Sequence, residues 1–225
     1  MARREEVAGG VGAPCSRRRS AGLAVTRSTQ RIVHSPIDVK SWAENPPSCA
    51  AARPASCVAC EAASRPAGSP LVVVGHGVRA RAIEGPLEPG DDPAIIELLT
   101  RRYVCRACDA VLVVVPRGVE RAYRYSLQAI AAALALWAYE RASAASTRAR
   151  TSTAKTIGAA SATRWASLPR WTRCALALFG LEASAIGTIR ERAARIASFV
   201  AAHAPIATGS VPRDAFFGAA FCRPR

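Results

Sequence analysis

Two copies of one short motif, Cys57-Val58-Ala59-Cys60 and Cys105-Arg106-Ala107-Cys108, decide the fold of the first half of this chain. Two residues between the cysteines of each pair allow a tight turn to direct both sulfur atoms at one point. Two such turns supply four thiolates, which is the closed tetrahedral ligand set of structural Zn²⁺. We therefore predict a structural zinc ion held by Cys57, Cys60, Cys105 and Cys108.

Reduced thiols without a metal, and redox chemistry, are the alternatives at these four positions. Disulfides are disfavoured because the sequence shows no secretory signal, and we expect a cytoplasmic protein. Cys49 is close enough to Cys57 in sequence to substitute for a ligand. His76 would approach the metal if the turn around it folded back, although a histidine in a turn is more often only a polar turn residue. Neither residue belongs to the predicted site.

Short β-like runs fill the interval between the two cysteine pairs. This interval of 44 residues is longer than the usual ribbon spacing of about 15–20 residues. A β-hairpin accounts for the excess, because it would bring the two cysteine turns together. We predict a reversal at Gly75-His76-Gly77, where glycine tolerates positive φ, and a loop over 86–93. The predicted strands are 71–74, 78–83, 95–104 and 110–115.

Helical patterns begin after Tyr125. Ser126 is a plausible N-cap for a helix over 127–141. A second helical stretch covers 159–179, with a kink or break expected at Pro169. A third covers 182–203, where an apolar stripe repeats at steps of three and four residues and predicts an amphipathic helix. The stripe consists of Ile186, Ile189, Ala193, Ile196 and Val200.

The charge of the chain is strongly basic and unevenly placed. The 225 residues include 31 Lys+Arg and 16 Asp+Glu, for a formal net charge of +15. Residues 1–50 carry 8 cations and 4 anions, residues 51–110 carry 7 and 7, and residues 111–225 carry 16 and 5. Part of this arginine content is typical of a GC-rich genome. Its concentration in the last part of the chain indicates a nucleic-acid partner.

The segment from Ser161 to Trp171 has the composition of a reading helix in a helix-turn-helix. Small polar residues at the start of such a helix face base edges, arginines reach phosphate or guanine, and an aromatic residue anchors the opposite face. An ordinary amphipathic helix with solvated arginines would give the same pattern. The predicted DNA-contacting residues are Arg148, Arg150, Lys155, Ser161, Thr163, Arg164, Arg170 and Arg173.

The Ile186–Val200 stripe has two interpretations. Its spacing follows a heptad, so it would form the seam of a homodimer. Packing in the core of a single chain explains the same spacing. The stripe covers only about two heptads, which is too short to indicate a coiled coil. No apolar run reaches the roughly 18 residues of a membrane span, and we expect neither a membrane nor a small-molecule substrate as partner.

The order of these motifs resembles an uncharacterised bacterial family. The resemblance rests on the two Cys-x-x-Cys pairs, on Gly75-His76-Gly77, on the run from Arg102 to Cys108, on Val114-Val115-Pro116 and on Tyr123-Arg124-Tyr125-Ser126 before an alanine-rich helix. Members carry a zinc ribbon followed by a helix-turn-helix, and are similar to the DNA-binding ends of insertion-sequence transposases. The resemblance implies that the four cysteines bind zinc and that Ser161–Trp171 reads DNA. It implies no reaction.

A nuclease activity is not expected. DNA-cutting transposases use carboxylates that jointly hold two Mg²⁺ ions, and the sequence offers no such strand-based set after the cysteine pairs. The carboxylates in this part of the chain are Asp109, Glu120, Glu140, Glu182, Glu191 and Asp214. We also find no phosphate-binding glycine loop, Ser-His-Asp set or Cys-His pair with positional support.

The sequence thus predicts an α+β protein in four parts. They are an unstructured leader over 1–47, a zinc-ribbon-like β domain over 48–118, a helix-turn-helix-like domain over 119–204 and an irregular tail over 205–225. The predicted function is non-enzymatic binding of double-stranded DNA, associated with transposons. Two alternatives stay open: a zinc-ribbon adaptor between proteins, and a remnant of a transposase that lacks its catalytic domain.

Overall fold

The computed structural model describes residues 30–120, 123–153, 165–181 and 186–222, and these ranges form an α+β structure. Two separate apolar cores exist within them. One surrounds the sheet and draws its residues from Val39 to Val119, and the other lies among helices and runs from Leu127 to Cys222.

The sheet has four strands in the spatial order β1-β4-β3-β2. The edge strand β1 pairs with β4 in parallel, whereas the β4–β3 and β3–β2 pairs are antiparallel. Valine and isoleucine are frequent in the strands, as expected of side chains that fit a pleated sheet. The strands are β1 (Arg31–His34), β2 (Val73–Gly85), β3 (Ala94–Cys105) and β4 (Val111–Val115).

The reversal predicted at Gly75-His76-Gly77 is wrong. The chain continues through these residues as one 13-residue strand, β2, whose register against β3 shifts between Gly75 and Val78. Gly77 has a φ of 101°, so the glycine pair forms a β-bulge and not a turn. The hairpin itself is present, and its loop falls at residues 86–93 as expected, between β2 and β3.

The predicted leader does not extend to residue 47. Arg31–His34 forms strand β1, and Val39–Glu44 forms helix α1, whose N-cap Asp38 accepts a hydrogen bond from the Ser41 amide at 2.8 Å. Trp42 is fully buried and its indole Nε1 donates to the Leu99 carbonyl oxygen at 3.1 Å. The prediction failed because this segment covers the sheet with one large aromatic residue and shows no periodic pattern.

The central helix of the second half is α2 (Leu127–Ala138), which is shorter than the predicted 127–141. Ser126 is its N-cap, as expected, and its hydroxyl accepts from the Ala129 amide at 3.1 Å. Most of its residues are buried, because alanine lets neighbouring helices approach it closely from several sides.

The predicted helix over 159–179 is broken in the structure, and its first part lies outside the described residues. The short helices in this part of the chain are α3 (Ala144–Ala149), α4 (Ser167–Arg173) and α5 (Ala175–Phe179). Pro169 lies in the first turn of α4, where its missing N–H costs nothing. The break falls instead at Cys174, which separates α4 from α5 with φ −93° and ψ 16°.

Helix α6 (Ile189–Ala201) contains most of the apolar stripe and starts later than predicted. Thr188 and Glu191 form a reciprocal capping box that fixes its first turn. Ala193, Ile196 and Val200 are buried in this chain's own helical core, in agreement with the core-packing interpretation. Ile186 precedes the helix and is 78% exposed. A homodimer through this helix stays a prediction.

The irregular tail predicted over 205–225 is wrong, because Val211–Ala219 forms helix α7. Ala215 and Ala219 are fully buried, and the helix packs on α2 and α6. Gly218 allows the closest contact: a Cβ there would lie 1.9 Å from the Val200 carbonyl oxygen. The small residues that make this packing possible carry little periodic signal, which is why the sequence pattern did not reveal the helix.

Glu84 joins the two halves of the molecule, and the sequence analysis did not identify it. Its carboxylate is 1% exposed and accepts from Ser152 Oγ at 2.7 Å, from the Thr153 amide at 2.7 Å and from Thr153 Oγ1 at 3.0 Å. The other carboxylate oxygen pairs with Arg124 Nε at 2.8 Å. Burial raises the pKa of Glu84, but the hydrogen bonds from Ser152 and Thr153 outweigh it, and the net shift is downward.

In the described ranges, the helices are all too short or too polar to cross a membrane.

Candidate metal centre

The first cysteine turn is shaped by backbone hydrogen bonds around Cys57. Its amide donates to the Ala62 carbonyl oxygen at 2.9 Å, and the Glu61 amide donates to the Cys57 carbonyl oxygen at 2.7 Å. Glu61 has a φ of 61°, which reverses the chain immediately after Cys60. An antiparallel bridge between Ser56 and Ala63 closes the turn.

The second turn repeats this geometry between β3 and β4. The Cys105 amide donates to the Ala110 carbonyl oxygen at 3.0 Å, and the Asp109 amide donates to the Cys105 carbonyl oxygen at 2.8 Å. Asp109, which follows Cys108, has a φ of 56°. The two turns therefore match residue for residue, including a left-handed residue directly after the second cysteine.

The hairpin brings the two turns into contact, as the sequence predicted. Val73, at the start of β2, is paired with Cys105, at the end of β3. Next to this pair, the Arg106 amide donates to the Val72 carbonyl oxygen at 2.9 Å. The segment that leads from the first turn to β2 is held by the Ser64 amide, which donates to the Ala55 carbonyl oxygen at 2.8 Å.

The four sulfur atoms gather at this end of the sheet. Cys57 Sγ lies 3.7 Å from Cys108 Sγ, and Cys60 Sγ lies 3.7 Å from Cys105 Sγ. All four sulfur atoms lie within 4.8 Å of one another, so the four residues could hold a metal ion. The first cysteine of each turn is buried and the second is exposed, so an ion would lie just under the surface.

The neighbours of these thiols shift their pKa values in opposite directions. Burial raises the pKa of Cys57, but amide N–H groups of Ala59 and Cys60 outweigh it and lower that pKa to about 7. At Cys108, the Ala110 amide lowers the pKa, but the three neighbouring thiols outweigh it and raise it to about 12. Four thiolates at this separation would repel one another, and a cation among them would offset that repulsion.

Cys49 and His76 are not members of the cluster. The Cys49 sulfur packs against the backbone of Gly75, where an added Cβ would lie 2.6 Å away. The Cys49 carbonyl oxygen accepts a hydrogen bond from the Tyr103 hydroxyl at 2.8 Å. His76 is exposed in the bulge of β2. Within the described ranges, no other group of cysteine, histidine and acidic residues is arranged to hold a metal ion.

The predicted DNA-contacting residues are only partly described. Lys155, Ser161, Thr163 and Arg164 lie outside the described residues, so the start of the predicted reading helix has no described position. Arg170 and Arg173 are exposed in the last turn of α4. Arg150 follows α3 and pairs with Glu140 at 3.1 Å, and Arg148 is half-buried on the same helix.

Comparison of this chain with protein-family models, with curated proteins and with solved structures finds no match.

Proposed function

We propose that this chain is a DNA-binding protein whose first half is stabilised by a zinc ion, and that it has no catalytic activity. The observation that carries the proposal is the four-sulfur cluster formed by two matching turns. The charge distribution supports a nucleic-acid partner, and the resemblance to transposase DNA-binding ends favours a mobile-element setting.

The sulfur separations fit a tetrahedral metal ion such as zinc. A tetrahedral ion with metal–sulfur distances of about 2.3 Å has sulfur–sulfur edges of about 3.8 Å. The two closest pairs, at 3.7 Å, fit these edges. A disulfide would need a separation of about 2.05 Å. Iron also binds four thiolates tetrahedrally, so elemental analysis is needed to distinguish the two metals.

A closed set of four thiolates leaves no position for substrate, so the ion would be structural. Three of the described carboxylates have structural partners, which supports the absence of catalysis. Glu191 completes the capping box of α6, Asp214 accepts from the Thr208 amide at 2.7 Å, and Glu120 pairs with His34 at 3.0 Å. Two-metal cleavage of DNA would require carboxylates directed at a shared point.

Charge supports the DNA partner. Residues 111–225 carry 16 cations against 5 anions, and each phosphate that such cations neutralise releases counterions. Exposed arginines at the end of α4, Arg170 and Arg173, are among the residues that we expect to contact DNA.

The test is selection of bound sequences from a random double-stranded DNA pool by the zinc-loaded full chain at two salt concentrations. Retention that falls steeply with salt, together with an enriched motif, is the expected result. Binding that is independent of salt, or the absence of retention at low salt, would overturn the proposal. Symmetry of the motif would report whether a monomer or a dimer binds.

The adaptor alternative would use one of two apolar segments to bind a partner, Val111–Val115 or the Ile186–Val200 stripe, and both are largely covered. Leu112–Val115 and the Ala193, Ile196 and Val200 side chains are buried in the chain's own cores. A remnant of a transposase remains compatible with the proposal, since it would bind DNA in the same way and differ only in having lost a catalytic partner.

A further inference from the structure

A cleft of about 520 Å³ lies on one face of the sheet, away from the cysteine cluster. Its floor crosses all four strands, through Ile32 on β1, Val113 on β4, Thr100 on β3 and Arg79 on β2. The register supports this path, because Ile32 pairs with Val113 and Thr100 pairs with Arg79. Three interstrand spacings of about 4.8 Å make the floor about 14 Å long.

Three arginines line this cleft: Arg79, Arg81 and Arg124. Among the described residues of the lining, none is acidic. This concentration is notable because residues 51–110, which supply two of the three, carry equal numbers of cations and anions. Several of the compensating acids lie at the far end of the hairpin, at Glu88, Asp91, Asp92 and Glu97.

Two of the arginines are fixed by their neighbours in positions that leave donors available. Arg81 Nη2 donates to the carbonyl oxygens of Glu120 and Tyr123, which ties the wall of the cleft to β2. Arg124 contacts the buried Glu84 carboxylate through Nε. Its side chain is 62% exposed, so its terminal nitrogens can present the planar fork that binds phosphate oxygens.

Arg79 is exposed, as Arg124 is. In the described part of the chain it has no acidic partner within ion-pair distance, and it lies two residues from Arg81 on the same face of β2. Burial lowers the pKa of Arg81, and the positive charge of Arg79 lowers it further against the opposing effect of Glu120. The cleft is thus a place where positive charge is crowded and partly desolvated, which an anion would relieve.

We propose that this cleft binds the phosphodiester backbone of one DNA strand. The proposal rests on the proposed DNA binding and assigns it a second surface, separate from the predicted reading helix. A single small phosphate would leave most of a 14 Å floor empty, whereas successive phosphates of a strand would follow it. Thr100 Oγ1 already donates to the Arg79 carbonyl oxygen at 2.8 Å, so the described lining offers charge and little base-edge recognition.

The cleft should therefore supply affinity without sequence preference. The test compares Arg79→Gln with Arg173→Gln in the zinc-loaded full chain, measuring affinity for several duplexes of unrelated sequence over a range of salt. Arg79→Gln should weaken binding to every duplex by about fivefold to tenfold at 0.1 M salt and reduce the salt slope by about 0.9. The double variant Arg79→Gln/Arg124→Gln should reduce the DNA affinity and the salt slope further.

An exposed arginine outside the cleft, Arg65, provides the matched control, and Arg65→Gln should bind as the unmodified chain does. If Arg79→Gln keeps the DNA affinity and salt slope of the wild type while Arg173→Gln loses affinity, the contact with the DNA backbone lies on α4. That result would overturn the inference and leave the proposed DNA binding intact. Displacement of DNA by millimolar inorganic phosphate at constant ionic strength would show a small-ligand site and also overturn it. A wild-type chain that binds no duplex would overturn the proposed function, and the inference with it.

Discussion

The two halves of this molecule are stabilised in different ways. In the sheet half, an apolar core surrounds the sheet, and two turns meet at four cysteines, two of them exposed, that could hold a metal ion. In the helical half, α2, α6 and α7 share an apolar core of small side chains and close backbone approaches. Glu84 connects the two halves through a buried set of hydrogen bonds and one ion pair.

This difference separates the consequences of damage to each half. Loss of a metal should loosen the cysteine turns and leave the helices folded, because the helical core contains none of the four clustered cysteines. Disruption of helix packing should lower the stability of the second half and leave metal binding intact.

The largest expected effect is that of Cys57→Ser combined with Cys105→Ser, which removes the two buried ligands. Structural zinc in small domains binds with about 10–16 kcal/mol of apparent free energy. The double variant keeps only two of the four thiolates that would supply this free energy of binding. It should therefore no longer hold one metal ion per chain. Elemental analysis measures the loss, and circular dichroism should show that helices remain.

Cys49→Ser is the control for this experiment, because Cys49 lies near Gly75 and outside the cluster. It should keep its metal. Equal metal content in the control and the double variant would mean that the sulfur cluster is not the binding site.

The next largest effect is expected for Gly218→Ala in α7. The added Cβ would lie 1.9 Å from the Val200 carbonyl oxygen, so α6 and α7 must separate. Overpacking of this kind typically costs about 1–3 kcal/mol, and we expect the upper end. Denaturant unfolding monitored by helical circular dichroism measures it, and metal content should not change.

Gly209→Ala provides the comparison. Gly209 has a φ of 80° and open space around it, so its substitution incurs only the conformational cost of about 1–2 kcal/mol. A Gly218→Ala protein as stable as Gly209→Ala would contradict the close packing of these helices.

A smaller effect, dependent on pH, is expected for Glu84→Gln. The pKa of Glu84 is held below its ordinary value of 4.5 in the folded chain, so its charged form contributes stability above pH 4.5. That contribution disappears as the pH falls through the lowered value. The variant should be about 2–3 kcal/mol less stable at neutral pH, in line with lost charged hydrogen bonds.

Urea unfolding at several pH values measures this difference in stability. It should narrow below pH 4.5, because the unmodified chain there loses the Glu84 contribution in addition to the acid destabilisation that both proteins share. Glu97→Gln, at an exposed acid on the same hairpin, should show little change at any pH. A gap that persists unchanged at low pH would show that the Glu84 charge does not join the halves.

The smallest effect is expected for His34→Gln. The Glu120 carboxylate, whose Oε1 lies 3.0 Å from His34 Nε2, raises the pKa of His34 above its ordinary value of 6.5. A raised pKa means that the pair stabilises the fold fully below pH 6.5 and less as the pH rises through the raised value. For this partly exposed pair we expect less than about 1 kcal/mol. Stability of His34→Gln equal to wild type at pH 5.5 would contradict it.

Local sequence signals predicted the parts of the fold that depend on local chemistry. The Cys-x-x-Cys spacing identified the four residues that the structure brings together, and Ser126 marked the start of α2. Local sequence signals failed where tertiary contacts decide the conformation of the chain. The glycines around His76 are compatible with a turn or a bulge, and only pairing with β3 selects the bulge.

Segments that depend on a single contact were also missed. Trp42 and Gly218 each stabilise an element through one buried residue or one close approach, which produces no periodic pattern. Arg79 and Arg81 alternate with small apolar residues in the predicted strand 78–83, a pattern typical of a strand with one exposed face. It could not reveal that Arg124, more than forty residues away in sequence, lines the same cleft.

The most direct test of the central claim is the metal content of the full chain, purified without chelator and measured by elemental analysis beside the Cys57→Ser/Cys105→Ser variant. We predict one zinc ion per wild-type chain and none in the variant. A wild-type chain without stoichiometric metal, or one whose zinc survives loss of both buried cysteines, would contradict the account.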